Sequence, residues 1–234
     1  YRVQELLTRL RADRDATLAA ALVQAGWCAA RRGDLEVAAH EGAQARDLAR
    51  AVQAAPERIA ALCLLAEVEA RATPGGDGSG TLEELRALAA RVGHRRALAE
   101  ADRSEGLRLL AEGHLEEAVA VLERVHARQL RGRSARDALV AGRVDLVEAY
   151  SRTGRPTDAA AVLADVKPTL TALAQDDPFA SGLQHRARAL VTTGQDPSQA
   201  LTRAGTRSGQ RLRSGERGRP IQAWEGPRTT TRCC

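Results

Sequence analysis

Gly33-Asp-Leu-Glu-Val-Ala38, Gly113-His-Leu-Glu-Glu-Ala118 and Gly154-Arg-Pro-Thr-Asp-Ala159 are three copies of one signature, a glycine and, after four residues, an alanine. Gly194-Gln-Asp-Pro-Ser-Gln-Ala200 is a looser copy, longer by one residue. Gly113, Gly154 and Gly194 stand 41 and 40 residues apart, and Gly33 lies 80 before Gly113. The turn missing from the series is expected near residue 75, within Pro74-Gly-Gly-Asp-Gly-Ser-Gly80. A fixed interval of this size marks a stacked-repeat protein. Such arrays serve more often as surfaces that bind than as pockets that react.

On either side of the signature, apolar residues recur at three- and four-residue steps. Before Gly154 the stripe is Ala138, Leu139, Val140, Leu146, Val147 and Tyr150, and after it Ala159, Val162, Leu163, Val166 and Leu170. Each stripe is one face of a helix, and the glycine between them can close the first helix in the left-handed conformation. Pro156 suits the first position of the next helix, and Ala159 is small enough for two helices to cross closely. Thr81-Leu-Glu-Glu84 and Ser134-Ala-Arg-Asp137 have capping-box spacing. Asp177-Pro178 and Asp196-Pro197 read as N-cap and first-turn pairs. Helices are expected over 2–12, 16–32, 35–53, 57–72, 82–92, 95–112, 115–130, 135–153, 157–174 and 179–193. No segment alternates as a half-buried strand does, so the chain is all-α, built of antiparallel helix pairs.

Composition agrees with that reading. Alanine makes up about a fifth of the 234 residues and aromatics only 2%, so the core must come from Ala, Leu and Val at close helix contacts. The formal charge of +5 belongs to the end of the chain. From Arg203 onward eight arginines face only Glu216 and Glu225, which leaves residues 1–202 at −1. Residues 1–204 therefore read as one helical-repeat domain. Residues 205–234, rich in Arg, Gly, Ser, Thr and Pro, read as a disordered tail or as a translation that has slipped out of frame. With few aromatics among its arginines, the tail makes a poor nucleic-acid site. Lys167 is the sole lysine, and Met and Asn are absent, a bias expected of a GC-rich coding sequence. Tyr1 runs straight into an apolar stretch with Val3, Leu6, Leu7 and Leu10, as expected of a fragment of a longer frame. No signal peptide or membrane-length apolar run is present, and a soluble, cytoplasmic protein is expected.

Catalytic and metal-binding patterns do not assemble. Gly75 and Gly80 have the spacing of a phosphate loop, but Thr81 stands where that loop needs its lysine. His114 precedes Leu-Glu-Glu, yet Ala118 occupies the place of the second histidine of a zinc-protease helix. His40, His94, His126 and His185 lack close partners in sequence and read as solvated or capping residues. Cys28 and Cys63 fall at no metal-ligand spacing and read as small buried apolar residues, and Cys233-Cys234 end the chain without a disulfide framework. A non-catalytic chain without a cofactor or metal is expected.

The helix pairs resemble tetratricopeptide repeats. Seven positions before the turn glycine that family has a small residue, matched by Gly26 and Gly106. Four before it the family has an aromatic, matched by Tyr150 and replaced by Ala29 and Leu109. The interval near 40 exceeds the family's usual 34, which implies longer helices and a superhelix of different pitch. A narrower resemblance, over most of 95–217, is to the central region of large ATP-binding LuxR-family transcriptional regulators of high-GC bacteria, which share their plan with the maltose-regulon activator. Asp145-Leu-Val-Glu-Ala-Tyr-Ser-Arg-Thr-Gly-Arg-Pro-Thr-Asp-Ala-Ala-Ala-Val-Leu163 is similar to its penultimate helix pair, with Gly182-Leu-Gln-His-Arg-Ala-Arg-Ala-Leu190 following at the expected distance. Gly113-His-Leu-Glu-Glu-Ala-Val-Ala-Val-Leu122 resembles the pair before, and Ser208-Gly-Gln-Arg-Leu-Arg-Ser-Gly-Glu-Arg217 a damaged form of the Arg-rich helix after it.

The resemblance implies a signal-sensing segment. ATP would bind only to a missing upstream module and DNA only to a missing downstream domain. A protein or small-molecule inducer would occupy the concave face, with self-association open and no membrane involved. Tetratricopeptide geometry places the residue six before each turn glycine on that face. Those residues are Trp27, Leu107, Glu148 and Arg188, with Glu69 if the second turn is at Gly75. The competing reading packs Trp27 between helices and leaves the charges on solvated faces. The alternative function is a free-standing scaffold that binds a peptide or helix.

Overall fold

The turn glycines take the backbone their position demands. In the computed structural model, which describes residues 2–72, 79–131 and 136–193, Gly33, Gly113 and Gly154 have φ of 89°, 86° and 72°, where a side chain is strained and glycine is not. The N–H of Gly113 donates to the Leu110 carbonyl and that of His114 to the Leu109 carbonyl, the crossed bonds of a Schellman cap. Gly33 and Gly154 make the same two bonds with their own helices. In these three copies the signature alanine then donates its N–H to the carbonyl of the residue after the glycine. Ala38, Ala118 and Ala159 are also wholly buried. The spacing of the signature is thus one cap followed by the first turn of the next helix, with its methyl in the crossing.

The described elements, all helical, are α1 (Arg2–Arg32), α2 (Leu35–Ala51), α3 (Ala55–Ala72), α4 (Ser79–Val92), α5 (Arg95–Glu112), α6 (Leu115–Arg131), α7 (Arg136–Arg152), α8 (Pro156–Leu173) and α9 (Pro178–Thr193). Pro156 opens α8 as expected. Asp177 accepts from the Phe179 N–H through its carboxylate and so caps α9. Two expectations are corrected. The separate helices over 2–12 and 16–32 are one helix, because Asp13-Arg-Asp15 holds neither Gly nor Pro and Thr17 returns its hydroxyl to the Asp13 carbonyl inside the helix. Thr81 is no N-cap, since α4 starts at Ser79 and the Thr81 hydroxyl donates to Glu69 across the α3–α4 contact. The capping box at 134–137, the turn near 75, the Gly194 copy, the Asp196-Pro197 pair and the tail at 205–234 lie outside the described residues or their side chains.

Two further turns carry the same cap without the signature. Gly93, φ 70°, ends α4 with bonds from Gly93 to Ala90 and from His94 to Ala89. Gln53 does so for α2 at φ 56°, without the freedom of a glycine.

Short connections between long helices make neighbours antiparallel, and each helix packs on the ones before and after it. The substantial contacts that skip a helix join α1 to α3, α3 to α5 and α7 to α9, and a slight one joins α5 to α7. The odd helices therefore lie side by side in one layer and run the same way, with the even helices behind them. The core follows this order as a series of clusters, from Val23, Ala45 and Ala61 at one end to Val166, Leu170 and Leu183 at the other. Gly26 and Gly106 let the pairs close up. A β-carbon on Gly26 would collide with Leu64, and one on Gly106 would stand 2.7 Å from Leu122. No helix among the described residues is long and apolar enough to cross a membrane.

Candidate functional site

Charge sits where a helix stack ordinarily has only methyl groups, in the odd layer. Arg103 of α5 is 3% exposed. Its Nε donates to Asp145 Oδ2 of α7 at 2.8 Å and its Nη1 to Glu67 Oε2 of α3 at 2.9 Å, while Glu100 Oε2 lies 3.5 Å from Nη1. Glu67 also pairs with Arg71 at 2.7 Å. Asp145 Oδ1 is 3.8 Å from Arg186 of α9, which pairs in turn with Glu148 of α7. A line of alternating charges thus runs through α3, α5, α7 and α9, and Arg103 is its buried centre.

A lone buried guanidinium would cost several kcal/mol in lost hydration, and only close, hydrogen-bonded carboxylates offset that. Burial works against the charge on Arg103, but Glu67, Asp145 and Glu100 outweigh it and make its proton harder to remove. Burial alone would push the Glu67 carboxyl up, yet Arg103 and Arg71 hold it below the ordinary carboxylate range. Glu100 goes the other way. Burial pushes it up, and its looser contact with Arg103 does not compensate. Two buried polar atoms of this line lack a hydrogen-bond partner, Arg103 Nη2 and Asp145 Oδ1.

Arg103 also borders a cavity of about 530 Å³, a size typical of small-molecule sites. The odd helices supply most of its wall. Trp27 and Arg31 come from the C-terminal end of α1, Cys63 and Glu67 from the middle of α3, Arg96, Glu100 and Arg103 from the first half of α5. Val140 and Ala141 come from the start of α7, and Phe179 and Leu183 from the first turns of α9. The level at which the cavity meets each helix therefore moves toward the N-terminus from α1 to α9. Across it the two ends of the layer meet, with the Arg31 guanidinium 5.2 Å from the centre of the Phe179 ring, a cation–π contact.

Of the residues placed by sequence on the binding face, Trp27 lines this cavity. It is half-buried and packs as well on the core clusters around Val23 and Leu64. Glu148 belongs to the charge line beside the cavity. Leu107 is buried and outside the cavity wall, Glu69 faces α4 through Thr81, and Arg188 is exposed. A constant offset from the turn does not follow a level that moves from helix to helix. Arg103, Glu67, Asp145 and Phe179 were not singled out from sequence. Their signal was charge interrupting an apolar stripe, as at Arg103-Ser104 and Asp145 within Val144-Asp-Leu-Val147.

The remaining reactive groups have ordinary roles. Burial pushes the Cys63 thiol up to about 12, so it stays protonated and unreactive. Cys28, expected to be buried, is exposed and borders the cavity beside Trp27. His94 caps α5, its Nδ1 accepting from the Ala97 N–H at 3.1 Å. No group of three or more His, Cys, Asp or Glu residues with metal-holding geometry occurs among the described residues. In comparison with known proteins, no family model, curated protein or solved structure matches the chain.

Proposed function

We propose that this chain is the signal-sensing helical-repeat segment of a LuxR-family transcriptional activator, a non-catalytic receptor whose ATPase and DNA-binding modules lie elsewhere in the parent protein. The observation that carries the reading is the cavity enclosed by the odd helices, with wall residues from all five of them. In a tetratricopeptide-like superhelix the first helix of each pair lines the concave face, and the odd helices hold that position here. The steady shift of the cavity level from α1 to α9 is what superhelical twist would produce. An inducer filling the cavity would touch both ends of the layer at once and so favour one curvature of the array over another. Leu10 and Leu18 on α1 and Val37 on α2 are large apolar residues left exposed, as they are where a further helix pair of an array packs.

The test is to sequence the encoding DNA well beyond both ends and translate every frame. A Gly-x4-Gly-Lys-Ser/Thr loop upstream and a helix-turn-helix downstream are expected. A start codon and a stop closely flanking this frame would overturn the reading in favour of a free-standing interaction scaffold.

A further inference from the structure

The cavity beside Arg103 is chemically lopsided. Four arginines border it, Arg31, Arg71, Arg96 and Arg103, against the acids Glu67, Glu100 and Asp177. Arg71 is paired with Glu67, and Asp177 has an oxygen committed to capping α9. Arg31 and Arg96, both exposed at the rim, form no ion pair among the described residues. Deeper in, Arg103 adds its charge to the wall, and its Nη2 is buried without a hydrogen-bond partner. The rest of the wall is apolar, and it takes in Trp27 and Phe179, two of the chain's five aromatic residues.

We infer that the cavity binds a small amphipathic anion, a carboxylate on an apolar or aromatic body. Its oxygens would accept from the rim guanidinium groups of Arg96 and Arg31, with the charge of Arg103 behind them, and its apolar body would lie between Trp27 and Phe179. Arg31, already stacked on Phe179, would close over it. A carboxylate fits better than a cation, because Glu67 is already neutralised by two arginines while the rim guanidinium groups keep donors to spare. A purely apolar ligand would leave those rim donors unused. This assignment rests on the sensing role proposed above and names the chemistry of the signal.

The test is calorimetric titration of the full chain with three probes that share one apolar body, 4-phenylbutyrate, 4-phenylbutan-1-ol and 4-phenylbutylamine. Fluorescence of Trp27 in a Trp224→Phe background reports occupancy of the cavity independently. The carboxylate is expected to bind about tenfold or more tightly than the alcohol, since charge-assisted hydrogen bonds exceed neutral ones by about that factor. The amine should not bind. Arg96→Gln with Arg31→Gln, both at exposed positions, should weaken the carboxylate about tenfold and leave the alcohol's affinity unchanged. Equal affinity for acid and alcohol, preference for the amine, or no binding by a cooperatively folded chain would each overturn the inference. None of those results touches the regulator reading, which stands or falls on the flanking reading frames.

Discussion

The two layers of the molecule are held together by different physics. Within a pair, an odd helix and the even helix after it approach through small residues, and the ion pairs that join them, Arg58 to Glu84, Arg128 to Asp102 and Arg143 to Asp165, each keep a partly exposed partner. Gly106 lies against Leu122, Gly26 against Ala38 and Glu41, and Ala38, Ala118 and Ala159 are wholly buried. Between pairs, along the odd layer, the buried line from Glu67 through Arg103 and Asp145 to Arg186 adds a charged contact. Apolar crossings of similar small residues resemble one another and specify register weakly, whereas a buried guanidinium tolerates only the register that supplies its carboxylates. Close packing builds the pairs, and charge fixes how they are stacked around the cavity.

Four tests can break that contrast or sharpen it. The largest effect is expected from Arg103→Leu, which strands Glu67 and Asp145 and should lower unfolding free energy in urea by about 3–5 kcal/mol. Arg128→Leu, which removes a pair with Asp102 from a side chain 59% exposed, should cost about 1 kcal/mol or less. Equal losses would erase the distinction between inner and surface charge. Next comes Gly106→Ala, expected to cost about 1–3 kcal/mol by forcing Leu122 aside. Gly182→Ala, with open space around it in α9, should instead stabilise by about 0.5–1 kcal/mol. Thermal melts of both variants would show opposite signs if pair packing is as tight as described.

Acid should act through the line of charges. Glu67 titrates below its ordinary value of 4.5, so its contribution is complete above that value and is lost as the pH falls through the depressed one. Glu100 is raised, so its contribution is present below its ordinary value and is lost as the pH rises through the folded one. Melting temperature should therefore fall on the acid side of about pH 4.5, and Glu67→Gln should flatten that limb. An unchanged acid limb in the variant would detach the line from stability. The smallest effect concerns a turn between pairs. Gln53 holds φ 56° without being glycine, and Gln53→Gly should stabilise by about 1 kcal/mol, read as a raised urea midpoint.

The helix pairs could be read from the chain because their determinants are local. A glycine cap, a proline at the first helical position and an alanine five residues after the turn all act within one turn of helix. The break at Gly93 was expected from its flanking helices, although Leu98, a larger residue, stands where the signature has alanine. The break expected near residue 13 failed, since charged residues without Gly or Pro continue a helix well. The cavity was harder to read. Its wall joins Trp27 to Phe179 across most of the chain, and which turn of each helix faces it depends on how successive pairs are rotated. Trp27 was found because an aromatic is conspicuous here. Arg103 was missed because an arginine in sequence looks the same whether it is solvated or buried.

The central claim, that one buried guanidinium ties successive helix pairs together beneath the cavity, is tested most directly by a double-mutant cycle. Urea unfolding would be measured for the wild type, Arg103→Met, Asp145→Asn and the double variant. The account predicts a coupling of about 2 kcal/mol or more, as for close pairs in a desolvated setting. A coupling within about 0.5 kcal/mol of zero, the range of independent sites, would contradict it.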